Sequence, residues 1–201
     1  MPPATAPPPS AITAVILAGG ASSRMGTDKA LLDWRGRPFL AHIIDALRPQ
    51  VDGIVINGPA TPALMRFGLP LIADASAERR GPLAGIMAAL DFGATEFILV
   101  VPCDNPLLSP HLAARLRAAL EREGSDVAYA GSGSDNHYLY ALMRTDLRDA
   151  LATFLRAGDY AVRHWYATLR ATRVDFSAEP EHFRNVNDAG GLASLNGHSP
   201  S

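Results

Sequence analysis

Arg24 and Lys29 stand five residues apart in a loop whose other members are small: Gly19-Gly20-Ala21-Ser22-Ser23-Arg24-Met25-Gly26-Thr27-Asp28-Lys29. Glycines at positions 19, 20 and 26 remove the Cβ atoms that would hold phosphate oxygens away from backbone N–H groups. Two cations on such a loop can neutralise a triphosphate. A carboxylate, Asp104, follows the most strand-like run of the chain, Phe97-Ile98-Leu99-Val100-Val101. It suits Mg²⁺, which takes one or two carboxylates together with phosphate oxygens. A lone glycine pair is only a turn, and a lone Asp is most often a cap. The two features together point to nucleotide-phosphate chemistry assisted by a divalent cation.

Spacing excludes the two commonest phosphate loops. A P-loop needs Lys directly after its second Gly, whereas Thr27 and Asp28 separate Gly26 from Lys29. A dinucleotide fingerprint needs G-x-G-x-x-G, which Gly19-Gly20-Ala21-Ser22-Ser23-Arg24 does not supply.

The elements that must position these residues alternate. Ala14–Ala18 reads as a buried strand, and Phe39–Leu47 as a helix with apolar residues at Leu40, Ile43, Ile44 and Leu47 behind Pro38. Gly53–Asn57 and Leu69–Asp74 read as strands. Leu83–Leu90 is a helix opened by Gly81-Pro82, Phe97–Val101 a strand, and Ser109 the cap of a helix faced by Leu112, Leu116 and Leu120. This order predicts an α/β fold: a three-layer α/β/α sandwich around a mostly parallel, doubly wound sheet. The last third predicts strands at Asp126–Ala130 and Tyr138–Met143 joined through Gly131–Ser134. Helical segments around Leu147–Arg156 and Tyr160–Leu169 follow, then a strand at Thr172–Phe176, forming an added acceptor-binding lobe.

In open α/β sheets ligands bind beyond the carboxyl ends of the strands. Gly19, Asn57, Asp74 and Asp104 each follow a predicted strand, so one sheet edge should gather them. Asn and Asp also end strands simply by bonding to their own turns. Gly81-Pro82-Leu83-Ala84-Gly85 offers a helix N-terminus to an anion or a base edge, or merely starts a helix. Asn185-Val186-Asn187-Asp188 carries donors and acceptors, or a helix cap. His137, read as a loop residue between the two late strands, is exposed enough to contact an acceptor, or is simply a loop histidine. Cys103 reads as a small buried filler, and His42, His164 and His198 show no ligand spacing.

Composition narrows the class. The chain has 201 residues, a net charge of −2 and one cysteine. These values suit one soluble domain without disulfides, with the cytoplasm as the default compartment. No basic cluster marks a nucleic-acid surface and no apolar run suits a membrane span, so neither nucleic acid nor membrane is an expected partner. Residues 1–11 read as a disordered Pro-rich tail, 12–196 as one domain and 197–201 as a second disordered tail.

The motif set resembles the molybdenum cofactor guanylyltransferases of the nucleotidyltransferase superfamily. Its blocks are Leu17-Ala18-Gly19-Gly20, Arg24-Met25-Gly26, Asp28-Lys29, Gly81-Pro82-Leu83-Ala84-Gly85, Pro102-Cys103-Asp104 and Asn185-Val186-Asn187. The resemblance implies a Rossmann-like nucleotidyltransferase fold and transfer of GMP from GTP to the terminal phosphate of Mo-molybdopterin. It implies that Leu17, Ala18, Gly19 and Gly20 contact the nucleotide, Lys29 and Arg24 the phosphates, and Asn57 and Asp74 the GTP. Asp104 would hold both GTP and Mg²⁺, with Mn²⁺ as the alternative ion, and Asn185, Asn187 and His137 would lie toward the acceptor. A monomer is expected, with molybdoenzyme maturation proteins as further partners. Two departures stand out: the loop before Lys29 is one residue short, and Tyr138 occupies a position where the family pattern has proline. Two other readings share these motifs. One is a sister transferase using CTP or a sugar or polyol phosphate, and the other is a non-catalytic module that carries molybdopterin to an apoenzyme.

Overall fold

The computed structural model describes residues 11–19, 29–74, 81–93, 95–184 and 186. Nine strands and six α-helices are assigned among them: β1 Ile12–Leu17, β2 Asp33–Trp34, β3 Arg37–Pro38, α1 Phe39–Leu47, β4 Gly53–Asn57, α2 Pro62–Met65, β5 Leu71–Ile72, α3 Pro82–Phe92, β6 Phe97–Pro102, α4 Leu112–Glu123, β7 Val127–Ser132, β8 Asp135–Arg144, α5 Arg148–Arg156, α6 Val162–Tyr166 and β9 Ala171–Asp175. Seven strands form one sheet in the order β5-β4-β1-β6-β8-β7-β9. All neighbours run parallel except β8, which is antiparallel to both β6 and β7. The predicted mostly parallel, doubly wound sheet is the one observed.

The central strands are apolar throughout because both of their faces are covered. Along β1, Ile12, Ala14 and Ile16 face α1 and α4, meeting Leu40, Ile43, Leu47, Leu112 and Leu116. Val15 and Leu17 face the other way, onto Leu83 and Ile86 of α3, with Leu151, Leu155 and Trp165 of α5 and α6 completing that layer. β6 alternates identically, Phe97, Leu99 and Val101 against Ile98 and Val100. Leu116 is fully buried, and truncating such a side chain to Ala costs about 2–5 kcal/mol.

Several boundaries differ from the sequence reading for local reasons. The strand expected over Leu69–Asp74 narrows to Leu71–Ile72, at the sheet edge, since Pro70 has no N–H to donate and only its carbonyl meets Ile56. Ser109 lies ahead of α4, which starts at Leu112. Its hydroxyl accepts from the His111 amide and donates to Glu179 instead of capping the helix. The helix expected over Tyr160–Leu169 is the shorter Val162–Tyr166. The late hairpin is tighter than predicted, with Gly131 and Ser132 paired within β7. His137 therefore belongs to β8, opposite Ala130, and not to a loop. The two-residue hairpin β2–β3 was not anticipated. Its turn, Arg35-Gly36, has positive φ at both residues, the geometry whose twist suits two-residue hairpins. Also unanticipated was α2, whose Thr61 side chain accepts from the Leu64 amide.

Candidate functional site

Four strand ends lie side by side in register. Ile72 of β5 pairs with Asn57 of β4, Asn57 with Leu17 of β1, and Leu17 with Pro102 of β6. At the usual strand spacing this ladder spans roughly 14 Å. The residues just beyond it, Ala18 and Gly19, Asp74, Cys103 and Asp104, share the carboxyl edge of the sheet. The Ala18 amide donates to the Asn57 carbonyl at 2.8 Å, so the ladder extends one residue past β1 into the start of the glycine loop. The convergence read from the sequence is thus the one the topology makes.

Asn57 is buried, and its carboxamide is held on both sides. Its Nδ2 donates to the Ile72 carbonyl at 3.2 Å and to Asp74 Oδ1 at 2.9 Å. A Cβ on Gly85 would overlap Asn57 Oδ1 and stand 2.8 Å from Leu17 Cδ2. The second glycine of Gly-Pro-Leu-Ala-Gly therefore lets α3 lie directly on Asn57 and Leu17. The first, Gly81, has φ of +62°, a backbone that glycine adopts without strain just before Pro82 starts α3.

Asp104 is largely buried, and its Oδ1 has no hydrogen-bond partner among the described residues. Burial pushes its carboxyl pKa up, and the positive charge of Lys29 opposes that shift. Lys29 opens a 3₁₀ turn, Lys29–Leu31. A buried carboxylate oxygen without a donor, with a cation in electrostatic reach, fits a site for a divalent ion. No group of three or more metal-ligating side chains occurs among the described residues. The fit is therefore of the Mg²⁺ kind, with one carboxylate and the remaining positions left to water and phosphate.

A cavity of about 400 Å³ opens beside Asp104, lined also by Pro82, His137, Tyr138, Tyr140 and Arg163. A bulge in β8 makes one wall of it. Ala141 opposes Tyr129 and His137 opposes Ala130, so Tyr138, Leu139 and Tyr140 are extra residues with no partners on β7. His137 is half-buried and stacks on Phe183 with centroids 4.9 Å apart, its Nε2 lying 2.9 Å from Ser132 Oγ. Burial depresses its pKa, with Arg173 adding to the effect and Asp135 opposing it. The imidazole is accordingly neutral near pH 7.

Val186 joins the same region. The Val186 amide donates to the Asp104 carbonyl at 2.9 Å, and Val186 packs with Trp34 and Phe39. Gly20, Arg24, Asn185 and Asn187, all named from the sequence, lie outside the described residues. The sequence reading missed Tyr140, Asn105 and Arg163. Its one signal for Tyr140, the Tyr138-Leu139-Tyr140 alternation, is that of any half-buried strand.

A parallel sheet ending in a glycine loop, with a lysine and a buried carboxylate at the next strand end, is the arrangement of an α/β nucleotidyltransferase. Comparison with known proteins gives the same class. The chain is 40% identical over 178 residues to the molybdenum cofactor guanylyltransferase of Shewanella putrefaciens, covering 88% of this chain and 91% of that one. It is 39% identical over 187 residues to the protein of the same name from Mannheimia succiniciproducens, covering 92% and 97%. The solved structure of molybdopterin-guanine dinucleotide biosynthesis protein A from Archaeoglobus fulgidus shares the fold, with a TM-score of 0.76 and 21% identity over 90% of this chain and 95% of that one. The family model for the MobA-like NTP transferase domain matches residues 14–174, and the chain belongs to that family. It is an enzyme of the nucleotidyltransferase class.

Proposed function

We propose that this enzyme transfers GMP from GTP to the terminal phosphate of Mo-molybdopterin, releasing pyrophosphate. The relatives that match nine-tenths of the chain carry the name of that activity. The observation that carries the reading at the level of residues is the buried Asp104 carboxylate facing the charge of Lys29, at the end of an in-register ladder that starts the glycine loop at Leu17. Leu17, Ala18, Gly19 and Gly20 approach the nucleotide, and Asn57 and Asp74 contact it from the β4–β5 side. The acceptor enters from the cavity, past His137, with Asn185 and Asn187 toward it.

An oxygen of the acceptor's terminal phosphate attacks the α-phosphorus in line. The new P–O bond forms as the bond to the β-phosphate oxygen breaks, and pyrophosphate leaves with that electron pair. Arg24 and Lys29 neutralise the phosphate charge that grows on the leaving side. Asp104 would hold Mg²⁺, or Mn²⁺ in its place, which supplies charge neutralisation on the phosphates. The chain's own contribution is positioning, with no covalent intermediate. We further propose a monomer that hands its product to molybdoenzyme maturation proteins. No helix among the described residues is long and apolar enough to cross a membrane.

Supplying Mo-molybdopterin with equal GTP, CTP and ATP and identifying the dinucleotide tests the reading. Guanine dinucleotide with stoichiometric pyrophosphate is the expected result. A cytosine product would overturn the choice of base, and absence of both products would leave only a carrier role.

A further inference from the structure

One buried polar group at this site has no part in the chemistry above. Tyr140 is the last of the three residues that the β8 bulge adds, and only 3% of it is exposed. Its ring stands edge-on to Phe183, with centroids 5.0 Å apart. Its hydroxyl is buried and has no hydrogen-bond partner among the described residues. Tyr140 and Asp104 line the same cavity, and the Asn105 side chain is the hydroxyl's other polar neighbour. Asn105 spends one Nδ2 hydrogen on the Glu181 carbonyl at 3.1 Å while its Oδ1 accepts from the Leu107 amide at 2.8 Å, which leaves its second Nδ2 hydrogen to the phenol oxygen and the phenol's own hydrogen without an acceptor. Asp104 is in the complementary condition, with a buried acceptor oxygen that lacks a donor.

A phenylalanine would pack as Tyr140 does without burying an unpaired hydroxyl, so the oxygen has a use that the ring does not explain. Carboxylates that bind metal through one oxygen are held by a hydrogen bond to the other, and that bond sets the carboxylate's direction. We propose that Tyr140 is a positioning residue for Asp104, its hydroxyl donating to the carboxylate when cation and nucleotide are bound. An ordinary phenol is protonated throughout the neutral range, so Tyr140 is a donor there. The inference rests on Asp104 as the carboxylate that holds the cation.

The test is binding without turnover, using the full chain, GTP and no acceptor. GTP affinity is measured by calorimetry in saturating Mn²⁺ and again in EDTA, for the parent and for Tyr140→Phe. Tyr140→Phe is expected to weaken Mn²⁺-dependent GTP binding about tenfold, the effect typical of a lost outer partner of a metal ligand. Affinity in EDTA should stay within twofold and the melting temperature should not fall. In an Asp104→Asn background the same change should have no further effect. Equal loss with and without Mn²⁺, an unchanged Mn²⁺ affinity, or a full additional loss on top of Asp104→Asn would each overturn the assignment of Tyr140. A parent that binds GTP equally well in Mn²⁺ and in EDTA would instead overturn Asp104 as the cation's carboxylate, independently of how Tyr140→Phe behaves.

Discussion

Asn57 donates to Asp74 Oδ1 at 2.9 Å across the β4–β5 edge, and its second amide hydrogen goes to the Ile72 carbonyl at 3.2 Å. Both donors of the carboxamide are therefore spent within the protein. Asn57 can read a base only through Oδ1, which faces Gly85, and its larger effect is to aim the exposed Asp74. Asn57→Ala and Asp74→Ala should each weaken GTP binding, and the double variant should be little worse than Asp74→Ala alone. Titration calorimetry on the four proteins checks this. Additive losses would mean that Asn57 and Asp74 act on GTP separately.

Lys29→Ala removes the charge that faces Asp104 and the proposed phosphate site. Loss of one such preorganised contact in a transition state is worth about 10²–10³ in rate. The expected result is a fall of that size in kcat/KM for GTP with an unaltered circular dichroism spectrum. Activity within a few-fold of the parent would remove Lys29 from the phosphate site.

Asp104→Asn keeps the size of the side chain and deletes its charge. The variant should lose most turnover, and raising Mg²⁺ to ten times the parent's requirement should restore little of it. Its melting temperature should hold or rise, because a carboxylate whose charge is disfavoured by burial is replaced by a neutral group. Full activity at limiting Mg²⁺ would show that the ion is held elsewhere.

The in-register edge was legible in the sequence because each βα unit repeats one rule: an apolar run, then a small or polar residue where the strand stops. Asn57, Asp74 and Asp104 could all be placed by that rule from their own neighbours. Contacts that depend on distant segments could not. Nothing near Asp104 announces that the Val186 amide will bond to its carbonyl, and nothing near Asn57 announces Gly85. The β8 bulge was hidden for a different reason. Tyr138 to Met143 is an uninterrupted run that reads as one regular strand, and only pairing with β7 reveals three residues too many. His137, the polar residue just ahead of that run, reads as part of the connection, and nothing within the run singles out Tyr140.

Asp126 and Arg170 tie the start of β7 to the start of β9. Arg170 gives Asp126 two side-chain hydrogen bonds, at 3.2 and 2.6 Å, and its backbone amide a third at 3.0 Å. The side-chain bonds from Arg170 are the main reason that the carboxyl pKa lies below its usual value. A depressed folded pKa adds stability above the ordinary Asp value of about 3.9 and loses it as pH falls through the folded value. The Arg170 side chain is mostly exposed, so solvent screens the ion pair and its net contribution to stability is small. Asp126→Asn should therefore lower the melting temperature slightly at pH 7, and the gap to the parent should close in acid below the carboxylate range. A gap that widens in acid would contradict the sign of the shift.

Gly85 sits at the point where α3 meets β1 and β4, and it separates packing from chemistry most directly. A methyl group there would overlap Asn57 Oδ1 and press on Leu17 Cδ2. Asn57 cannot turn aside without breaking its bonds to Ile72 and Asp74. Either α3 lifts from the sheet or the Asn57 carboxamide moves. Overpacking of this kind costs about 1–3 kcal/mol, against which the better helix propensity of Ala returns about 1 kcal/mol. The net loss of stability should thus be small, while GTP affinity falls as much as in Asn57→Ala. Denaturant unfolding and GTP titration of Gly85→Ala give the two numbers side by side. A variant that loses stability but binds GTP like the parent would show that α3 moved and left Asn57 in place, and that Gly85 serves the packing of the helix alone.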